Sequence, residues 1–204
     1  PPQRVVVFLG AGVPTAAGIP DYRSSSGIWT TRSNREAFSV LAFGMILRLF
    51  WLHERHIFGL AISGEIKPTA THRFVVELHE RGLLQRVYSQ NIDGLELVAG
   101  LPRDKLVACH GSMTEATAQR AHVRQTQSER SFTRPSGPGT VFFGEPLPAE
   151  FEARQRADFE SCTLLIVIGT SLKVYPFASL PNRCDLLTPR LLINREVRSD
   201  LQGP

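Results

Sequence analysis

Apolar runs of strand length recur along the chain, at residues 5–9 (Val5-Val6-Val7-Phe8-Leu9), 84–88, 106–109, 141–143, 164–168 and 191–193. A strand covered on both faces reads as such a run, because neither face calls for polar side chains. Helical spacing fills most of the gaps. Residues 70–81 place Phe74, Val75 and Leu78 on one face, with Thr71 as the expected N-cap and Gly82 as the C-terminal stop. Residues 148–161 set Phe151 and Phe159, with Cys162 just beyond, among charged positions. Strands alternating with helices of this length predict an α/β fold, a doubly wound, Rossmann-like parallel sheet. Its ligand crevice should lie beyond the carboxyl ends of the strands.

Two stretches break the alternation. Residues 24–68 contain no strand signal and read as a small helical module, with Phe38, Leu41, Ile46, Leu49, Phe50 and Leu52 as its apolar positions. Residues 114–140 are rich in Gln, Arg, Ser, Thr, Pro and Gly, with Phe132 as the one aromatic, and cannot build a core. The expected division is a main domain of residues 1–23, 69–110 and 141–204, interrupted by a helical part at 24–68 and an insertion at 111–140.

Composition narrows the classes. With 204 residues, 42% hydrophobic and 21% charged, the chain can bury one large core. The net charge of +4 owes much to Arg120, Arg124, Arg130 and Arg134 in the insertion. Aromatic residues are not interleaved there, so nucleic acid is not an expected partner. No apolar run reaches the roughly 18 residues a membrane span requires. Cys109, Cys162 and Cys184 are odd in number and lie among apolar residues, which suits reduced core thiols and an intracellular setting with the compartment left open. A monomer is expected.

Candidate chemistry falls at the ends of the expected strands. Gly10-Ala11-Gly12 follows the first run and precedes Gly18-Ile19-Pro20-Asp21-Tyr22-Arg23, a small-residue turn able to bring backbone N–H groups to a phosphate. Thr15 stands where a dehydrogenase fingerprint has its third glycine, so this is not the ordinary dinucleotide loop. Ser89-Gln90-Asn91-Ile92-Asp93-Gly94 offers amide and carboxylate groups to a polar ligand, or caps to a helix. Cys109-His110-Gly111 leaves an imidazole with open approach, suited to general base work. Gly169-Thr170-Ser171-Leu172 and Asn194-Arg195 end the last two runs, and Val141-Phe142-Phe143-Gly144-Glu145 places two rings beside a glycine. Neither an NTPase phosphate loop nor a Gly-x-Ser-x-Gly elbow occurs, which removes those two routes.

In this order the motifs resemble those of sirtuins, NAD-dependent protein-lysine deacylases, and the likeness covers almost the whole chain. Lys67-Pro68, Thr71-His72, Leu147-Pro148 and Pro176-Phe177-Ala178-Ser179-Leu180 are similar to the mitochondrial and cytosolic deacetylase branch. The resemblance implies that Gly10, Ala11, Gly12 and Arg23 hold the NAD pyrophosphate and that Asn91, Ile92 and Asp93 hold the nicotinamide carboxamide. Gly169, Ser171 and Asn194 would meet the adenosine half, with Asp21, Tyr22, Gln90, Thr170 and Arg195 completing the cofactor set. His110 would be the general base, acting with Asn91 and Asp93. Val141, Phe142 and Phe143 would line an acyl-lysine channel, and the peptide would add as a strand between Gly144-Glu145 and Leu172-Lys173-Val174. Residues 24–68 hold Arg48 and Arg55 but no tyrosine, so acetyl-lysine proteins, rather than acidic acyl groups, are the expected substrates.

The chain also departs from that pattern. The resemblance implies two Cys-x-x-Cys zinc pairs in the insertion, yet residues 111–140 hold no cysteine and, as a further ligand, only His122. Structural zinc needs about four such ligands, so no metal is expected. Pro14 stands in place of a serine and Tyr22 in place of a phenylalanine. The adenine-side end following Asn194 is expected to be short. The alternative to a deacetylase is a catalytically impaired module that binds NAD, ADP-ribose or acylated peptides.

Overall fold

The computed structural model describes residues 3–21, 24, 27, 64–112, 139–141 and 146–195. The helical module at 24–68 and the insertion at 111–140 therefore lie almost entirely outside the described residues. Five parallel strands form the sheet: β1 (Val5–Leu9), β2 (Leu84–Ser89), β3 (Leu106–Ala108), β6 (Leu164–Ile168) and β7 (Arg190–Ile193). Their order is β3-β2-β1-β6-β7. The chain winds from β1 outward to β3 and then returns to the other side of β1. The expected doubly wound α/β fold is present, with its switch point between β1 and β6.

The pleat divides β1 between two cores. Val5, Val7 and Leu9 join Val75 and Leu78 of α1 (Ala70–Glu80), with Val87, Ile166 and Ile168 of the neighbouring strands. Val6 and Phe8 face the other way, onto Phe151 and Phe159 of α3 (Ala149–Glu160) and Phe177 and Leu180 of the 3-10 helix Phe177–Arg183. All five β1 side chains are buried. This two-sided cover is the physical reason for the unbroken run. Tyr88 lies in the second core, and its hydroxyl donates to Asp158 Oδ2 at 2.7 Å, so a polar atom is buried at no loss of hydrogen bonding.

Three local expectations are corrected. The cap of α1 is Thr69 rather than Thr71: its backbone N–H donates to Nδ1 of His72 at 3.0 Å, the reach-back half of a capping box. Val141, the one described residue of the 141–143 run, lies in no strand; the strand before it is β5 (Gly139–Thr140), paired antiparallel with β4 (Gly111–Ser112) in a separate ribbon. Residue 109 is past the end of β3. Cys109, Cys162 and Cys184 are buried and free, as the reduced-thiol reading expects.

Candidate active site

The turns after β1 and β6 interlock at the switch point. The Gly10 N–H donates to the Ile168 carbonyl at 3.0 Å and the Gly12 N–H to the Gly169 carbonyl at 2.8 Å. A Cβ on Gly10 would stand 2.4 Å from Thr170 Cβ, and one on Gly12 would stand 2.9 Å from the Gly169 oxygen. Glycine is required here by turn against turn packing as well as by any ligand. Ala11, between them, is half-buried. Gly169 itself has φ +63°, a backbone conformation that disfavours a side chain.

The loop after β2 is tied into this junction by two side-chain bonds and braced by a third within the loop. Gln90 Nε2 donates to the Thr170 hydroxyl at 3.0 Å, and Asn91 Nδ2 donates to the Gly10 carbonyl at 3.1 Å. The Asn91 N–H donates to the Ser89 hydroxyl at 3.1 Å. Asp93 Oδ1 accepts the Leu95 N–H at 2.9 Å and so starts the short helix α2 (Leu95–Val98). The N-cap position itself is Gly94, so Asp93 holds the helix start from one residue before it. Asn91, Ile92 and Asp93 are all buried, and desolvation pushes the Asp93 carboxyl up to about 6.

His110 meets the same loop. Its Nδ1 lies 2.9 Å from the Gln90 carbonyl oxygen, and its ring stands edge-on to Phe177 with centroids 4.7 Å apart. A carbonyl only accepts, so Nδ1 carries the proton and Nε2 keeps a lone pair. Burial holds its pKa below the usual histidine value, with the Gln90 bond opposing. The His110 carbonyl accepts the Val141 N–H at 2.8 Å, which seats Val141 beside the base.

On the β6 side, Thr170 Oγ1 also accepts the Leu172 N–H at 3.2 Å, and Asn194 Nδ2 donates to the Thr170 carbonyl at 3.2 Å. Leu172 has φ 48°, uncommon for a residue with a side chain, and that side chain is buried in the second core. Only its backbone can face a peptide. Val174 packs at the core margin, Ser171 is half-buried in the turn, and Asn194 and Arg195 are exposed after β7. Asp21 Oδ1 accepts the Ser24 N–H at 2.7 Å. Tyr22, Arg23, Phe142, Phe143, Gly144 and Glu145 lie outside the described residues.

Sequence reasoning missed His72 and Glu96. Both are fully buried behind Asp93, and the ligand-capable atoms of all three lie within 4.8 Å of one another. The available signals were the Thr69-x-x-His72 spacing and an acid set in the apolar stretch Leu95-Glu96-Leu97-Val98.

Polar side chains converge on the switch point of a doubly wound parallel sheet, which makes this a Rossmann-like α/β domain. Within that class, the family described as the Sir2 family matches residues 10–176, and the chain belongs to it. It is 41% identical to the mouse NAD-dependent protein deacetylase sirtuin-3, over 99% of this chain and 64% of that protein. It is 37% identical to the zebrafish NAD-dependent protein deacetylase sirtuin-2, over 95% of this chain and 56% of that protein. The NAD-dependent protein deacetylase hst2 of Schizosaccharomyces pombe is also 37% identical, over 97% of this chain and 64% of its own length. The chain thus spans between 56% and 64% of the length of these three relatives. Among the described residues, no helix is long and apolar enough to cross a membrane.

Proposed function

We propose that the chain is the NAD-binding core of a protein-lysine deacetylase that releases nicotinamide and passes the acetyl group to ADP-ribose. The observation that carries this is the Nδ1 bond of His110 to Gln90, which leaves Nε2 as a base beside the loop bearing Asn91 and Asp93. The three relatives, each named an NAD-dependent protein deacetylase, support the same reading.

NAD supplies an electrophilic ribose carbon with nicotinamide as its leaving group, for attack by the acyl oxygen of the lysine. The chain's own groups match the other tasks. Asn91 and Asp93, fixed by Gly10 and Leu95, present an amide and a carboxyl suited to hydrogen-bonding a carboxamide. The Gly10-Ala11-Gly12 and Gly169-Thr170-Ser171 turns form one rigid edge for the rest of the dinucleotide, with Asn194 and Arg195 beside it. His110 Nε2 takes a proton from a ribose hydroxyl, so the neutral ring is the active form. Val141 adjoins the base, and with Phe142 and Phe143 it would line the acyl-lysine channel. The peptide would add as a strand between Gly144-Glu145 and the Leu172–Val174 backbone.

No step runs through zinc. Residues 111–140 offer His122 and no thiolate besides, short of a structural zinc site.

Nicotinamide release from NAD, measured with and without an acetyl-lysine peptide, tests the reading. Peptide-dependent release supports the deacetylase. Bound NAD with no release in either case replaces it with a binding module.

A further inference from the structure

Glu96 lies at the back of the Gln90–Asp93 loop, fully buried in α2. Its carboxyl hydrogen-bonds the Ser89 hydroxyl, which in turn accepts the Asn91 N–H at 3.1 Å. Among the described residues its Oε1 has no hydrogen-bond partner, and neither has His72 Nε2, also fully buried. His72, Asp93 and Glu96 bring their polar atoms within 4.8 Å of one another.

A metal ion would be the first occupant to consider, but the His72 tautomer opposes it. The Thr69 backbone N–H, which can only donate, points at Nδ1. Nδ1 is therefore the acceptor and Nε2 carries the hydrogen, so one ring nitrogen is engaged by Thr69 and the other has no lone pair for a metal. The ring beside the two carboxyls is therefore neutral and adds no charge.

Two buried carboxyls at this separation repel if both ionise, and the surroundings choose between them. Asp93 is held by the Leu95 N–H, which favours its charged form. Glu96 receives the Ser89 hydroxyl but leaves Oε1 bare. The other groups facing it are His72 from α1, Cys109 after β3 and Arg103, which shares with it a small cavity lined also by Asn91, Gly111 and Ser112. His72 and Cys109 are neutral, and Arg103 bonds Glu150 and the Leu106 carbonyl.

We propose that Glu96 is a positioning residue of the nicotinamide end of the site: an uncharged acid that tethers Asp93 directly and Asn91 through Ser89. This deepens, and rests on, the deacetylase reading. The proton of Glu96 goes to the Asp93 carboxylate, and the neutral His72 ring closes the back of the pair. Asp93 then keeps one orientation whether or not ligand is present.

The test uses the full chain and needs no turnover for its first part. In carboxyl 13C NMR, the Glu96 resonance, assigned by its loss in Glu96→Gln, should stay at the neutral-acid position at pH 6; an ionised position there overturns the proposal. In turnover, Glu96→Gln keeps both donor and acceptor and should hold the KM for NAD within about twofold, whereas Glu96→Leu should raise it about ten- to a hundredfold with the peptide KM unchanged. A folded Glu96→Leu with parental KM for NAD, or a Glu96→Gln as impaired as Glu96→Leu, overturns it. Failure of the parent to release nicotinamide is a failure of the deacetylase reading, and the carboxyl resonance still decides the state of Glu96.

Discussion

His110 Nδ1 and the Gln90 carbonyl oxygen, 2.9 Å apart, fix the ring's tautomer and leave the lone pair on Nε2, the base of the proposed reaction. Exchanging that ring for a phenol, His110→Tyr, removes the Nε2 lone pair. Nicotinamide release should fall by about 10²–10⁴-fold, the usual contribution of a general base. Thermal unfolding should change little, because the ring is only partly buried. Intact release in this variant would remove His110 from the mechanism.

On the proposed mechanism the same ring should set the acid limb of the rate profile. Burial lowers its pKa from 6.5, so the active neutral form persists below that value. The sign follows directly: kcat/KM should hold as pH drops through 6.5 and decline only as pH approaches the lowered value. A half-fall in kcat/KM above pH 6.5 would point to another base.

How far this site could be read in advance depends on what each residue answers to. β1 was legible because burial on both faces leaves a purely apolar run, and His110 because it follows a strand next to a glycine. Thr69 was not: His72, three residues along, selected it over Thr71 by side-chain reach. Val141 misleads because apolarity cannot distinguish a sheet strand from a residue that follows a short ribbon. Glu96 was invisible because a lone acid in a short helix normally faces water. Gly10 and Gly12 were read as phosphate turn residues, but their crowding against Gly169 and Thr170 involves a contact some 160 residues distant in sequence, which no local pattern reports.

That crowding is measurable. Gly10→Ala puts a methyl 2.4 Å from Thr170 Cβ and 2.7 Å from the Gly169 oxygen, so a turn must move. The expected cost is about 1–3 kcal/mol, the range for overpacking. Urea unfolding should show the midpoint falling at constant m-value, and affinity for NAD should fall with it. Parental stability would mean that the two turns separate freely.

On the opposite face of the sheet, Asp158 anchors three partners. It accepts from Arg86 Nε at 2.5 Å, from the Tyr88 hydroxyl at 2.7 Å and from Gln85 Nε2 at 3.0 Å. The Arg86 and Asp158 side chains are only 13% and 9% exposed, so water cannot replace a lost partner. Asp158→Ala should therefore destabilise by about 3–5 kcal/mol, the cost of stranding one half of a buried pair. Chemical denaturation checks this, and a loss under about 1 kcal/mol would place the pair among weak surface bridges.

The cluster behind Asp93 predicts two opposite pH slopes in one protein. Burial, joined by the Asp93 charge, pushes Glu96 up to about 7 from 4.5, so the native state keeps a proton that the unfolded chain releases. That contribution is complete below pH 4.5 and is lost as pH rises to about 7; Asp93, raised to about 6, acts in the same direction. Glu96→Gln has no such proton, so the parent should lose stability relative to this variant across that window. His72 is the reverse case. Burial and Arg73 lower it to about 4, so its contribution is complete above pH 6.5 and is lost as pH falls towards 4. The parent should therefore lose stability relative to His72→Gln in the acid direction. Each slope is bounded by about 1.4 kcal/mol per pH unit for one proton. Urea unfolding of the three proteins between pH 4 and 7 separates the two effects, since their differences from the parent run in opposite directions. Slopes of the same sign would mean that Glu96 is ionised in the folded protein, and the tether to Asp93 would then lack its proton.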